Sequence, residues 1–422
     1  MSADRVRRRL AGLVVNYNSG QFARRCVESL IASWRLEGRD PADLEIVVVD
    51  NQSPKDQTEA LAAIEALGVV VDRADENLGY ARGMNRAFAH TSGGPKDVVA
   101  ILNPDLFFLP GALGVLMGEL EDPRVGLVDP KVSIDPGREL LLPRNPLPTL
   151  YDHAYSALAH RWSSVARAYG RRRLAIDLPW FESKDRYVTD MLSGACMFLR
   201  RETVQRLGGT PMDPVFPLYY EDTDLCRRVR GLGLELVHHG AAPVLHYWSR
   251  SAGIGTSFEG EPRRRYTISQ DIYFRRYYGS LGARAARWLN ERSAAWAQGR
   301  THTTHEFVHM GACDRPPLLE LEGDGPFLIE SNFSPNFLLS AGTLGEGRTF
   351  RFSDQAWDWI FSARIYLRAI DRRTRNLRGA WTIDRTGDVR HHGHTVPEVL
   401  GESAAALVKP LPRAAAAQDA RS

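Results

Sequence analysis

Four short apolar runs, Leu10–Val15, Glu45–Val49, Val69–Val71 and Val98–Leu102, fall within the first quarter of the chain, and each is closed by a polar cluster. Continuous rather than alternating runs of this length read as strands buried on both faces of a parallel sheet. Between them, Gln21–Leu36, Pro54–Leu67 and Arg82–His90 read as helices, the first with Phe22, Cys26 and Leu30 at helical spacing. The alternation predicts an α/β domain with a doubly wound sheet. The clusters at Asn16–Gly20, Asp50–Ser53, Glu76–Asn85 and Asn103–Asp105 all follow strands. They therefore converge on the carboxyl edge of the sheet, where open α/β folds place their ligands.

The fourth cluster, Asn103-Pro104-Asp105, has its own chemistry. Pro104 has no N–H to give a ladder, so the strand ends there. The corner presents an amide and a carboxylate, both oxygen donors suited to a hard divalent cation. A plain strand-ending turn uses the same residue types, and the corner alone leaves both readings open.

Further on, Pro110–Leu120 reads as a helix and Val125–Asp129 as a strand. Pro143–Lys184, rich in Pro, Arg and aromatics without a clean period, reads as an insertion or flap. Asp190, Ser193 and Gly194 precede the apolar Ala195–Leu199, and a helix follows the acidic Glu221-Asp222-Thr223-Asp224. Leu234–Val237 and Ala242–Leu245 read as short strands, with His246 directly after the second. Glu261–Gln298 is helical, aromatic and Arg-rich; beyond Pro316 five strand-like runs alternate with Gly-rich turns. The expected organisation is a catalytic domain over 1–258, a helical extension over 259–314, a small β-rich accessory domain over 315–400 and a loose, disordered tail over 401–422.

A formal net charge of +3 in 422 residues is too mild to imply nucleic acid as a partner. Of 54 basic residues only five are Lys, so fork-shaped Arg contacts to phosphate are easily built. The four Cys are scattered, which suits a reducing compartment. No secretory leader is apparent, and no window offers the roughly 18 apolar residues of a membrane span. A cytoplasmic protein is expected, with peripheral contact at the inner face of the plasma membrane open to it.

Seven pieces, in order, resemble the inverting family-2 glycosyltransferases with a GT-A fold, especially their rhamnosyltransferase-like branch. They are V-V-N-Y-N-S at 14–19, V-V-V-D-N-Q-S at 47–53, N-L-G-Y-A-R-G-M-N at 77–85 and L-N-P-D at 102–105. L-S-G-A-C-M-F-L-R-R at 192–201, Y-Y-E-D-T-D-L-C-R-R at 219–228 and H-Y-W-S at 246–249 complete the set. The likeness covers residues 10–255 and stops short of the β-rich region. It implies a GT-A, Rossmann-like mixed sheet and transfer of a sugar from a nucleoside diphosphate, such as dTDP-rhamnose, to a hydroxyl of a glycan or lipid-linked glycan. The branch points to bacterial cell-surface polysaccharide synthesis.

The chemistry assigns tasks to these residues. Breaking the donor's glycosidic bond builds charge on a diphosphate, which a metal or fixed cations must absorb. The resemblance implies Asp105 and His246 as ligands of Mg²⁺ or Mn²⁺, with Asn103 where the family usually has a first Asp. It implies Asp222 as the base that deprotonates the acceptor hydroxyl, with Glu221, Asp190 and Gly194 on the acceptor side. Val15, Asn16 and Asp50 would line the base of the nucleotide, and Asn77, Gly79, Arg82 and Asn85 the diphosphate side. Asp224, two residues on from Asp222, points elsewhere on a helix and is read as a cap.

Other readings exist. His305-Glu306-Phe307-Val308-His309 matches H-E-x-x-H, which on a helix would give a zinc hydrolase, with Glu330 as a third ligand. His302 and His391–His394 read as polar surface. A non-catalytic GT-A-like carbohydrate-binding protein would explain Asn103. A nucleotidyltransferase would need a Gly-rich, Lys-bearing loop after the first strand, where Asn16–Gly20 has no Lys.

Overall fold

The structure, a computed structural model, describes residues 8–247, 260–297, 305–337, 339–360, 362–386 and 401–412. In chain order the elements are β1 Leu10–Asn16, α1 Gly20–Leu36, β2 Leu44–Asp50, α2 Thr58–Ala66, β3 Val70–Arg73, α3 Tyr80–Ala89, β4 Val98–Leu102, β5 Leu106–Phe108, α4 Ala112–Glu119 and β6 Val125–Ser133. Then come α5 Leu150–Arg161, α6 Ser163–Glu182, β7 Arg186–Thr189, β8 Cys196–Arg200, α7 Arg201–Arg206, α8 Glu221–Gly231, β9 Glu235–His246 and α9 Glu261–Ala297. The last are β10 Val308–Cys313, β11 Leu319–Glu320, β12 Pro326–Asn332, β13 Ala341–Glu346, β14 Thr349–Phe350, α10 Asp354–Trp359, β15 Arg364–Asp371, β16 Leu377–Arg385 and α11 Glu402–Ala405. The chain divides into two compact units, 1–130 with 186–269 and 396–422, and 131–185 with 270–395.

The first unit is built on a mixed sheet in the order β3-β2-β1-β4-β8-β6-β9-β5, with β7 paired to β9. The four apolar runs form β1 to β4, and all their mutual pairings are parallel. β1 and β4 are wholly buried because the sheet is covered on both faces, as continuous apolar runs require. The strand order turns back between β1 and β4, which opens a crevice beyond their carboxyl ends. From β4 onward the sheet becomes antiparallel, starting with Leu102 opposite Cys196.

Several expectations are corrected here. The strand over 98–102 ends ahead of Pro104 as expected, but the chain then resumes as β5, antiparallel to β9. The runs 234–237 and 242–245 are one strand, β9, continued through His239-Gly240. Residues 143–184 contain two helices rather than a flap. The residues of 401–412 are not loose. Leu411 is 5% exposed within the core of the first unit, its N–H bonds to Leu67 O at 2.8 Å, and Arg35 donates to the carbonyls of Lys409 and Pro410.

The second unit holds a five-stranded sheet ordered β10-β16-β15-β12-β13, antiparallel except for β10 beside β16. Five strands, β11, β12, β14, β15 and β16, lie at or near the five expected runs, whereas β10 and β13 fall outside them. α5 and α6 belong to this unit. The buried stripe of α6 is Ala166, Tyr169, Gly170, Arg173, Leu174, Asp177, Leu178 and Phe181, a helical period carried partly by charged residues. Arg173 and Asp177 are buried as an ion pair at 2.9 Å, so neither registers as apolar in the sequence. No helix among the described residues is long and apolar enough to cross a membrane.

Candidate active site

The parallel register of β1 and β2 sets Asn16 opposite Asp50 at the crevice. The Asn16 amide nitrogen donates to Asp50 Oδ1 at 2.7 Å, and its oxygen accepts from the Ser19 N–H and hydroxyl at 3.1 and 2.9 Å. Ser53 donates its hydroxyl to Asp50 at 2.7 Å. Val15 is buried beside them. A Cβ on Gly83 would lie 3.0 Å from Val15 Cγ2, so α3 needs glycine to approach β1 this closely.

The 76–85 cluster divides. Asn51 donates to Asn77 Oδ1 at 3.2 Å and to Gly79 O at 3.3 Å, and accepts from Leu78 N–H at 2.8 Å. Gly79 has φ 78°, and a Cβ there would meet Pro217 O at 2.5 Å. Both the backbone conformation and the space therefore demand glycine. Arg82 is exposed and paired with Glu76 at 3.1 Å. Asn85 spends both ends of its amide on the Met212 backbone, at 2.8 and 3.0 Å, so it fixes the loop before α8.

At the corner, Asn103 N–H bonds to Ala195 O at 2.8 Å and its Oδ1 accepts from the Tyr80 hydroxyl at 2.9 Å. Asp105 is 1% exposed, with His246 Nε2 3.1 Å from its Oδ1. The pairing of β5 with β9 makes this contact, since Leu106 lies opposite His246. A buried carboxylate and an imidazole in contact are suitable donors for a divalent cation that completes its shell with phosphate oxygens. Among the described residues no group of three or more His, Cys, Asp or Glu converges. Any metal here would therefore rely on its ligand for most of its coordination.

α8 opens with Glu221 and Asp222. Asp222 accepts from the N–H groups of Thr223 and Gly194 at 2.7 and 3.2 Å and from the Thr223 hydroxyl at 3.2 Å. Burial raises its carboxyl above the usual carboxylate range, while those N–H groups hold the rise back. A Cβ on Gly194 would sit 2.7 Å from Asp222 Cβ, so a glycine at this position is what lets the carboxylate reach this backbone. Glu221 is 6% exposed, and its Oε2 has no hydrogen-bond partner among the described residues. Burial, then the charge of Asp222, pushes its carboxyl well above the usual range. Asp224 is separate and fully buried, and pairs with Arg228 one turn on at 2.7 Å. Asp190 is half-buried after β7. The following loop is anchored by Ser193 N–H on Asp129 at 3.3 Å, and Asp129 in turn is bound to the buried His238 at 2.8 Å.

Two features escaped sequence reasoning. Tyr219 and Tyr220, just before α8, have φ values of 64° and 67°, a region that residues other than glycine rarely occupy. Such strain persists where surrounding structure over-determines it, often at ligand sites. The second is Tyr80. Its hydroxyl lies 2.9 Å from Asn103 Oδ1 and 3.4 Å from Gly194 O, and the N–H of that same glycine holds Asp222. Burial and then the charges of Glu221, Asp222 and Asp105 raise its phenol well above the ordinary value. Through these bonds one ring links the corner at Asn103 to the glycine that holds Asp222. Tyr80 lay inside N-L-G-Y, but as a lone aromatic in a first helical turn it carried no signal of its own.

In the second unit the H-E-x-x-H reading fails on geometry. His305 lies ahead of β10 and His309 within it, so no helix brings them to one face. His305 Nε2 lies 3.1 Å from Arg368 Nη1, and a guanidinium can only donate, so the lone pair a metal needs is taken. Burial, then Arg368 and Arg167, lowers its pKa to about 4. Glu330 is bonded to Arg368 at 2.7 Å and His309 to Thr382 at 3.0 Å. His302, His391, His392 and His394 lie outside the described residues, as do Ser249 and Arg250 next to His246.

Residues 13–207 match the family model "Glycosyl transferase family 2". An uncharacterized protein, MT1568, of Mycobacterium tuberculosis (strain CDC 1551 / Oshkosh) is 32% identical over 111 residues, which are 26% of this chain and 32% of that protein. The match thus spans about a third of the relative's length. Among solved structures the chain is similar to the mannosyltransferase PcManGT from Pyrobaculum calidifontis in complex with GDP-Man and Mn²⁺, at 17% identity over 69% of this chain and 74% of that one, TM-score 0.42. It is also similar to S. aureus TarS 1–349, at 12% identity over 64% and 72%, TM-score 0.40. GalNAc-T7 with UDP, GalNAc and Mn²⁺ aligns at 13% identity over 90% and 72%, TM-score 0.44. The first unit has the expected mixed α/β architecture with its polar clusters at the carboxyl edge, and residues 13–207 are similar to the family-2 glycosyltransferases.

Proposed function

We propose that the protein moves a sugar from a nucleoside-diphosphate donor to a hydroxyl of a glycan or lipid-linked glycan, with inversion at the anomeric carbon. The observation that supports this best is the Tyr80 hydroxyl, 2.9 Å from Asn103 Oδ1 and 3.4 Å from the carbonyl of Gly194, whose N–H bonds Asp222. In this reading Asp222 takes the proton of the acceptor hydroxyl while that oxygen attacks the anomeric carbon. The bond to the diphosphate breaks as the new one forms, and the nucleoside diphosphate departs with the bonding pair. A single in-line displacement inverts the centre. Asp222 suits the base, since its raised pKa makes it a stronger acceptor than an exposed carboxylate. Glu221, buried with an open oxygen, suits an acceptor hydroxyl as hydrogen-bond partner.

Asp105 and His246 would hold a divalent cation, Mg²⁺ or Mn²⁺, which when bound supplies charge to the departing diphosphate. Asn16 and Asp50 would receive the nucleotide's base, Val15 the ring's flank, and Asn77 and Gly79 the phosphate side, with Asn103 toward the sugar. Asp190 and Gly194 would line the acceptor. We extend the branch likeness to a dTDP-rhamnose donor, a cell-surface polysaccharide product and a cytoplasmic enzyme. The domain expectation extends to a catalytic unit with an accessory β-rich unit.

The test pairs a transfer assay with donor binding read by thermal stabilisation across a panel of sugar nucleotides, dTDP-rhamnose included. Asp222→Asn should abolish transfer and leave stabilisation by the preferred donor intact. Loss of both would move Asp222 to donor binding, and a panel with no stabilising sugar nucleotide would refute the reading.

A further inference from the structure

The net charge of this chain is small, yet residues 153–176 carry five Arg and no Asp or Glu. The structure folds this stretch as most of the α5–α6 hairpin in the second unit. Its buried stripe consumes only Arg173, which pairs with Asp177. Arg167, Arg171 and Arg172 are exposed, and Arg161 is half-exposed. Among the described residues none of these four is paired with a carboxylate. Other surface arginines differ: Arg264 and Arg265 bond Glu261, Arg275 and Arg287 bond Asp271, and Arg364 bonds Asp384. The hairpin's exposed cations are therefore uncompensated, unlike those five.

The same surface exposes aromatics. Tyr151 is 53% exposed with the Arg172 guanidinium 4.8 Å from its ring centre, and Trp162 is 47% exposed with Arg161 at 5.5 Å. The later half of α9 continues it. Tyr273 donates to Pro148 O at 2.9 Å, and a Cβ on Gly282 would be 3.5 Å from Leu150, so α9 lies against the start of α5. Next to that seat Leu281 is 72% exposed and, two turns on, Trp288 is 51% exposed. Cations with tryptophan and tyrosine on the hairpin, and leucine and tryptophan on the helix beside it, match the chemistry of an anionic bilayer's headgroup layer. Phosphates there meet guanidinium groups, and amphipathic rings settle at the water boundary.

We infer that the α5–α6 hairpin, extended by the later half of α9, is a docking surface for an anionic membrane. The inference meets the proposed function only in that a lipid-linked acceptor would reside at such a membrane. Its readout requires no sugar transfer.

The experiment is sedimentation of the full chain with vesicles of phosphatidylglycerol and phosphatidylcholine, against phosphatidylcholine alone. Wild type should sediment with the anionic vesicles only and be released at high salt. Arg171→Glu with Arg172→Glu should weaken binding by about tenfold or more, Trp162→Ala by less, and Arg264→Glu hardly at all. Stabilisation by a nucleotide sugar should be the same in all of them, which separates failure here from failure of the transfer reading. Equal sedimentation with neutral vesicles would overturn the inference, as would none with anionic ones. So would an unchanged double variant, or displacement by a single-stranded oligonucleotide at equal phosphate.

Discussion

Tyr80 does its work through one hydroxyl. It touches Asn103 on one side and the Gly194 carbonyl on the other, so removing it should loosen both ends of the site. Tyr80→Phe is expected to lower kcat about tenfold, the worth of one buried hydrogen bond of about 1–1.5 kcal/mol, with a smaller change in donor KM. Since the effect runs through Asn103, it should shrink sharply in an Asn103→Ala background; additive losses in that double-mutant cycle would refute the bridge. The acids make a second claim. As the proposed base, Asp222 would act only when ionised, and its pKa is raised, so kcat/KM should fall as pH drops through a midpoint above about 4, the ordinary carboxylate value. Replacement by Asn should remove that limb along with the rate. The positions of Asp50, Asp105, Asp222 and His246 were legible because each ends or follows a strand or opens a helix within a motif. Tyr80 was not, because a phenol's use depends on what lies 3 Å from its oxygen.

The helices and strands divide by how they are covered. β1, β2 and β4 were readable because two-sided burial demands unbroken apolar runs. α6 was not, because two of its stripe positions are an arginine and an aspartate that neutralise each other on folding. β9 was read as two strands since His239-Gly240 looks like a turn, yet pairing with β5 and β7 carries it through. The start of α8 rests on two close approaches. In Gly194→Ala the new methyl would fall 2.7–2.8 Å from Asp222, so transfer should drop strongly while the melting temperature moves little. Gly79→Ala combines a positive φ with contact on Pro217 O and should cost stability itself, on the order of 1–3 kcal/mol, in a denaturant titration. If both variants lost only stability, the first would have no catalytic meaning.

Across the whole molecule the chain returns to its beginning. Leu411, remote in sequence, lies in the same core as α1 and α2, and its backbone bonds to Leu67. Ending the chain before 401, or Leu411→Ala alone, should destabilise the first unit, the point variant by about 2–3 kcal/mol. An unchanged denaturation midpoint would show that the segment is not part of the core in solution. The proposed cation site belongs to this level too, since Asp105, just before β5, and His246, at the end of β9, are separated in sequence by more than a hundred residues. Chelation should weaken nucleoside-diphosphate binding, and Asp105→Ala should make that binding indifferent to added Mn²⁺.

The residue order determined the alternation of strand and helix, the edge on which the polar clusters gather and the acids available there. Those depend on local burial pattern and on turn chemistry, which short stretches encode. Only the tertiary structure decided that Asp105 meets His246, that Asn85 is spent on a loop and that the H-E-x-x-H histidines part. It also decided that 131–185 folds with the distant β-rich sheet. Such outcomes depend on which side chains neutralise or occlude one another across long separations, and no local pattern records that.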